Sequence, residues 1–136
     1  MFINENAIKI VLFWKKTGSN SLRILTSLDA LKDKEKEGYQ KASFSLRPLT
    51  WRQHNDIQRE ATIDKGPGTG SELDWVSYKE RKLMKILVGW DAVDAEGKPI
   101  PVTEENIFKL HPMVAETILN EFDRVTMLGE DDRKNS

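Results

Sequence analysis

The spacing of apolar and polar residues changes near residue 50, and that change predicts two kinds of structure. Residues 7–14 (AIKIVLFW) are dense in β-branched and aromatic types, the mark of a largely buried strand. Thr17, Gly18, Ser19 and Asn20 supply turn chemistry. Residues 22–26 (LRILT) then alternate as the second arm of a hairpin does. Residues 28–37, with apolar Leu28 and Leu31 ahead of the charge run 32–37, read as a short helix fraying into a solvated loop. A third strand is predicted over 41–46, where Ala42, Phe44 and Leu46 alternate with polar residues and leave one face to water.

From residue 50 the spacing becomes helical. Thr50, with Gln53 three residues on, carries the capping-box pattern. Trp51, His54, Ile57 and Ala61 recur at helical spacing and predict a helix over 51–62. Residues 64–70 (DKGPGTG) cannot hold a helix and read as a flexible linker between two of them. Ser71 with Asp74 caps the next predicted helix, 72–88. Its stripe of Val76, Leu83, Leu87 and Trp90, with Met84 and Ile86 beside them, is wide enough to face a core.

That segment ends at Gly89-Trp90-Asp91 and leads into an elbow. A Glu96-Gly97 turn is followed by Pro99-Ile100-Pro101, and Thr103 opens a short helix. Glu104 and Glu105 stand in its first turn, where the helix dipole favours acids. Trp90, Asp91, Gly97, Pro99, Pro101 and Thr103 are read as architecture joining two amphipathic helices. His111-Pro112 interrupts the short helix. A last helix is predicted from Pro112 to about Met127, with Val114, Ile118, Phe122 and Val125 on one face, widened by Leu119.

Strands followed by helices predict an α+β fold: a small N-terminal antiparallel sheet of about three strands, then a helical C-terminal half of three to four helices. An all-helical second half with a loosely attached N-terminal hairpin is the competing arrangement. The expected organisation is a single domain over 1–129, strand-rich over 7–47 and helical over 50–128, with a polar disordered tail over 130–136.

Composition narrows the function classes. A chain of 136 residues fits one domain with a real core. Its 21 basic and 22 acidic residues nearly cancel, for a net charge of -1, which removes a bulk electrostatic grip on nucleic acid and leaves only a local patch. With no cysteine, disulfides, cysteine zinc sites and thiol nucleophiles are excluded. No apolar run approaches the ~18 residues of a membrane span. The run 8–14 is broken by Lys9 and lacks a basic start and a small-residue cleavage site, so it is a poor signal peptide and the default is a cytoplasmic protein.

Candidate chemistry is thin. Gly66-Pro67-Gly68-Thr69-Gly70 lacks the lysine a phosphate loop needs after its last glycine and meets Ser71-Glu72 instead. His54 and His111 stand in no metal-ligand spacing. Asp56 lies too close along the helix to share a face with His54, whereas His111 sits in a helix break where it can satisfy backbone groups. Asp91, Asp94 and Glu96, with Glu104 and Glu105, raise a cation site. Counted from Asp91, however, Glu96 stands where a calcium loop needs glycine and Val102 where it needs a bidentate acid. No catalytic, metal-binding or cofactor-binding residue is assigned.

Trp14, Trp51, Trp75 and Trp90, interleaved with Lys15, Arg47 and Arg52, offer a stacking platform for single-stranded nucleic acid. The neutral charge balance favours packing in a core or an interface instead. Trp75, just after the glycine-rich loop, is the first candidate for an outward-facing protein-binding residue. Trp90, Met127 and Leu128 are the others.

The string KASFSLRPLT before a helix, then residues 85–123, resembles the tail assembly chaperones of long-tailed bacteriophages and prophages. The shared features are Arg47-Pro48-Leu49 closing a strand, Trp90-Asp91, Gly97, Pro101-Val102, the helix start Thr103-Glu104-Glu105-Asn106, and Leu110-His111-Pro112. The likeness covers about residues 41–127, and residues 1–40 lie outside it. It implies a non-enzymatic protein without cofactors, working in the host cytoplasm and absent from the mature virion. Its partners would be the tape measure protein and the tail tube protein, with a homo-oligomer as a further option and no nucleic acid or membrane. Such a role requires apolar surface that accepts amphipathic helices, here the apolar surface left over near Trp75 and Met127-Leu128.

Two other classes stay open. A tail-completion or baseplate component of the virion would use its sheet edge for ring assembly, and a small nucleic-acid-binding regulator would show salt-dependent retention. An enzyme requires a deep polar pocket with convergent ionisable groups around His54 or His111.

Overall fold

The computed structural model describes residues 1–128, with the backbone alone at Leu128. The tail expected over 130–136 and the Leu128 side chain lie outside the described residues. The protein is α+β. In chain order the elements are β1 (Ile8–Lys16), β2 (Leu22–Leu25), α1 (Asp33–Lys36), β3 (Gln40–Leu46), α2 (Trp51–Glu60), β4 (Thr62–Asp64), β5 (Ser71–Leu73), α3 (Trp75–Ile86), β6 (Leu87–Trp90), α4 (Glu104–Phe108) and α5 (Pro112–Asp123), which runs on as a π-helical turn, Arg124–Leu128.

The main sheet is antiparallel, with strand order β2-β1-β3-β6. β1 alternates as its sequence predicts: Ile10 and Leu12 are buried, while Lys9 is exposed. Opposite them β3 buries Phe44 and Leu46. This face packs on Leu83, Ile86 and Leu87, on Ile107 of α4, and on Ile118, Leu119 and Phe122 of α5. Leu46, Ile86 and Ile118 are completely excluded from solvent.

The fourth strand corrects the sequence reading, which ran the helix through Val88. The backbone turns extended at Leu87, and β6 pairs Leu87 with Leu46, Gly89 with Ser45 and Trp90 with Phe44, with a register shift between Ser45 and Leu46. An unpartnered edge of β3 would leave buried backbone groups unsatisfied, and that outweighs helical periodicity here. Gly89 suits the site because a Cβ there would lie 3.2 Å from the Ser45 Cβ.

Residues 64–70 need a second correction. They belong to a hairpin instead of a flexible linker. β4 pairs with β5 antiparallel, Lys65 N–H donates to the Gly70 carbonyl, and Gly66, Gly68 and Gly70 take positive φ. Lys65 and Glu72 form an ion pair across it. The glycines thus make a turn and break a helix at once.

Other boundaries shift for local reasons. α1 forms within the charge run, not at Leu28 and Leu31, and buries nothing. α2 has the expected capping box, with Gln53 N–H donating to Thr50 Oγ1 and Thr50 N–H to Gln53 Oε1. α3 starts at Trp75, since Asp74 alone caps it by accepting from Val76 and Ser77 N–H. Val76 consequently falls on the exposed side of the stripe. Lys82 of α3 is only 7% exposed, and its Nζ meets Asp123 Oδ1 at 2.5 Å, tying α3 to α5. No helix among the described residues is long and apolar enough to cross a membrane.

Candidate protein-binding surfaces

The elbow joins strand β6, not a helix, to α4. Several of its polar groups are engaged internally. The Trp90 indole N–H donates to the Ile100 carbonyl at 2.6 Å. Asp91 Oδ1 accepts from Ser43 N–H at 3.0 Å, and Asp91 N–H returns a bond to the Ser43 carbonyl. Asp94 Oδ1 accepts from Glu96 and Lys98 N–H at 2.8 and 3.0 Å. Gly97 closes that turn at φ +82°, Val93 bridges Pro99, and Asn106 Nδ2 donates to the Pro101 carbonyl. Thr103 caps α4 through Asn106 N–H. Asp91 and Asp94 therefore spend carboxylate oxygens on the backbone. Among the described residues no three His, Asp or Glu side chains gather as a metal site.

Among the described residues, two concavities border the core as candidates. The first, a cleft of about 530 Å³, opens where the Trp14–Gln40 end of the sheet meets the elbow and the α4–α5 junction. Leu12, Ile24, Ala42, Phe44, Trp90 and Val114 give it apolar walls, and Gln40, Lys41, Asp91 and Lys109 are the exposed polar residues lining it.

The second is a shallower groove of about 480 Å³ between α2, α3 and the end of α5, lined by His54, Tyr78, Lys82, Asn120, Asp123, Arg124 and Met127. Trp75 meets Tyr78 edge-to-face, with ring centroids 5.5 Å apart, and His54 meets the same ring at 6.4 Å. Trp75 and Met127 are 65% and 78% exposed. Met127 thus lines the groove directly, and Trp75 borders it through its contact with Tyr78. Trp90 belongs to the other concavity.

The groove's lysine, aspartate and arginine each have an ion-pair partner. Lys82 is held by Asp123 and lies over the Tyr78 and Phe122 rings. Arg124 Nη2 donates to Glu121 at 2.6 Å, and His54 Nε2 lies 3.3 Å from Gln58 Nε2. His111 is spent on structure: its Nδ1 accepts from Met113 N–H and its Nε2 donates to the Asn20 carbonyl at 2.8 Å, fastening the β1–β2 turn to α5.

The four tryptophans divide. Trp14 and Trp90 are half-buried, whereas Trp51 at 83% exposure and Trp75 at 65% face solvent. Both exposed rings occupy the first position of a helix, ahead of the first inward-facing residue. Tyr78 and the Lys82–Asp123 pair were not singled out from sequence. Tyr78 was signalled by its place one turn after Trp75, but nothing local marks Lys82 as buried or couples it to Asp123. No protein-family model, curated protein or solved structure matches this chain.

Proposed function

We propose that the chain is a non-enzymatic tail assembly chaperone of a phage or prophage. In this reading it binds the tape measure protein, the tail tube protein or both in the host cytoplasm and departs before the virion is complete. The observation that carries the proposal is the groove lined by Tyr78 and exposed Met127, with exposed Trp75 packed against the Tyr78 ring. Large aromatics beside a flexible methionine provide the anchors an amphipathic helix needs. The charges beneath are already compensated, so a partner helix would not have to neutralise them. Co-expression with a long helical tape measure protein is the test. The expected outcome is higher partner solubility and a complex on size exclusion that the Trp75→Ala/Met127→Ala variant loses. No complex with the unmodified chain would sink the reading.

A virion component is the second reading, favoured by the outer edge of β1. β2 pairs with Phe13–Lys16, so residues 8–12 have no strand partner on that side among the described residues and present an edge for ring assembly. Mass spectrometry of purified particles separates the two. A chaperone is missing, and a component is present in fixed copy number.

A further inference from the structure

The core lies on one face of the main sheet, and the other face takes no part in the reading above. Ile10, Leu12 and Ile24 point toward the helices. Their alternating neighbours, Lys9, Val11, Phe13 and Lys15 of β1 with Arg23 and Leu25 of β2, stand on the opposite side. None of these six belongs to the core cluster or lines either concavity. The ladders set Phe13 between Leu25 and Lys41, and Lys15 beside Arg23. Lys41 stands at the rim, where it also borders the cleft. Lys15 Nζ lies 4.9 Å from the centroid of the Tyr39 ring.

Charge is concentrated on these strands. β1, β2 and β3 carry Lys9, Lys15, Lys16, Arg23 and Lys41 and no aspartate or glutamate, in a chain whose net charge is -1. Among the described residues none of these bases has an ion-pair partner. Asp91, opposite Ser43 beyond the end of β6, spends an oxygen on the Ser43 N–H. Four-stranded sheets that take single-stranded nucleic acid combine such features: bases neutralise phosphates, and a ring on a central strand stacks on a nucleobase. An acidic protein would use the charges but give Phe13 nothing to stack on. We infer that this face binds a single strand of nucleic acid, with Lys9, Lys15, Arg23 and Lys41 on phosphates and Phe13 against a base. A near-neutral chain binds in this way only through a local patch, and the sheet supplies one. The site does not rest on the chaperone reading, whose groove lies among the helices.

Fluorescence anisotropy of a labelled oligothymidylate titrated with the full chain tests it. The expected result is binding at low salt, with log K falling against log salt at a slope of about -3, as four phosphate contacts on a single strand give. Lys9→Glu with Arg23→Glu, both at exposed positions, weakens binding by about tenfold or more and about halves the slope. Phe13→Leu keeps the charges and the slope but lowers affinity about fivefold or more, the loss of one stacked base. Lys85→Glu, an exposed position on α3, changes affinity by no more than about twofold, because salt screens a charge on the helical side. An unchanged circular dichroism spectrum separates lost contact from lost fold. No binding at low salt overturns the inference, as does binding that Lys9→Glu/Arg23→Glu leaves intact. So does an unchanged affinity of Phe13→Leu, and a polyglutamate peptide bound as tightly as the oligonucleotide then assigns the face to an acidic protein.

Discussion

Trp90 and Trp75 stand near the two ends of one predicted apolar stripe, yet they face opposite circumstances. Trp90 ends β6, is half-buried, and satisfies its indole N–H on the Ile100 carbonyl across the elbow. Trp75 opens α3, is 65% exposed, and has edge-to-face contact with Tyr78 as its aromatic partner. A tryptophan whose polar atom is committed inside the fold stabilises that fold. One whose ring is left in solvent contributes little to it and is free to contribute to a complex. On the proposed reading, the acidic elbow holds the shape and the helical groove is left to meet a partner.

The sharpest way to break this comparison is to remove each ring in turn. Trp90→Ala is expected to cost roughly 2–3 kcal/mol in urea unfolding, somewhat below the range for fully buried aromatics because Trp90 is only partly buried. Trp90→Phe keeps most of the packing but leaves the Ile100 carbonyl without its donor, and should cost about 1–2 kcal/mol. If Trp90→Phe is silent, the hydrogen bond does not hold the elbow and the contrast with Trp75 loses its basis. Gly97→Ala comes next, at about 1 kcal/mol, since its φ of +82° is strained for an L side chain while a Cβ would meet nothing within 4 Å. A larger loss there would mean that the elbow transmits strain into the β3–β6 pairing, readable as faster amide exchange at Ser43 and Asp91.

What was legible in sequence were features set by neighbours along the chain. The alternation in β1 and β3, the Thr50–Gln53 capping box, the Thr103 cap and the turn at Gly97 all follow from local spacing, and each forms. What was not legible depended on distant partners. Leu87–Trp90 carries helical spacing but pairs with β3 because that edge needs a strand. The glycine-rich run becomes a hairpin because Thr62–Asp64 finds Ser71–Leu73. Lys82 looked like any helix-surface lysine, and only α5 decides that it is buried against Asp123. The same limit applied to the candidate surface. Trp75 and Met127 are both legible as outward residues, but Tyr78, which meets Trp75 and lines the same groove as Met127, is not. Trp90 was grouped with them although its ring belongs to the elbow.

The Lys82–Asp123 pair separates fold from surface beneath the groove. Asp123→Asn keeps the shape but strips the counter-charge from a lysine side chain that is 9% exposed, and should cost about 1.5–3 kcal/mol. The Asp123 side chain is itself half-exposed, which places the value toward the lower end. Differential scanning calorimetry reads it. An unchanged melting temperature would mean that water reaches Lys82 and that the groove is deeper than its lining indicates.

The smallest expected effect on stability is also the most telling for function. Trp75→Ala removes a ring that packs edge-on against Tyr78 and is otherwise in solvent, so unfolding should change by about 0.5 kcal/mol or less. In the same variant, affinity for a helical tail protein should fall by about 2 kcal/mol, roughly thirtyfold, the loss typical of a central aromatic anchor. The two measurements must diverge for the assignment to hold. If stability falls as far as affinity, Trp75 braces the α2–α3 packing and the groove is not a docking surface. If neither moves, the ring is a bystander and the partner sits elsewhere on the molecule. Only a stable variant that has lost its partner identifies Trp75 as the contact, and Tyr78→Phe, which keeps the ring that Trp75 and His54 both meet, should leave that contact intact.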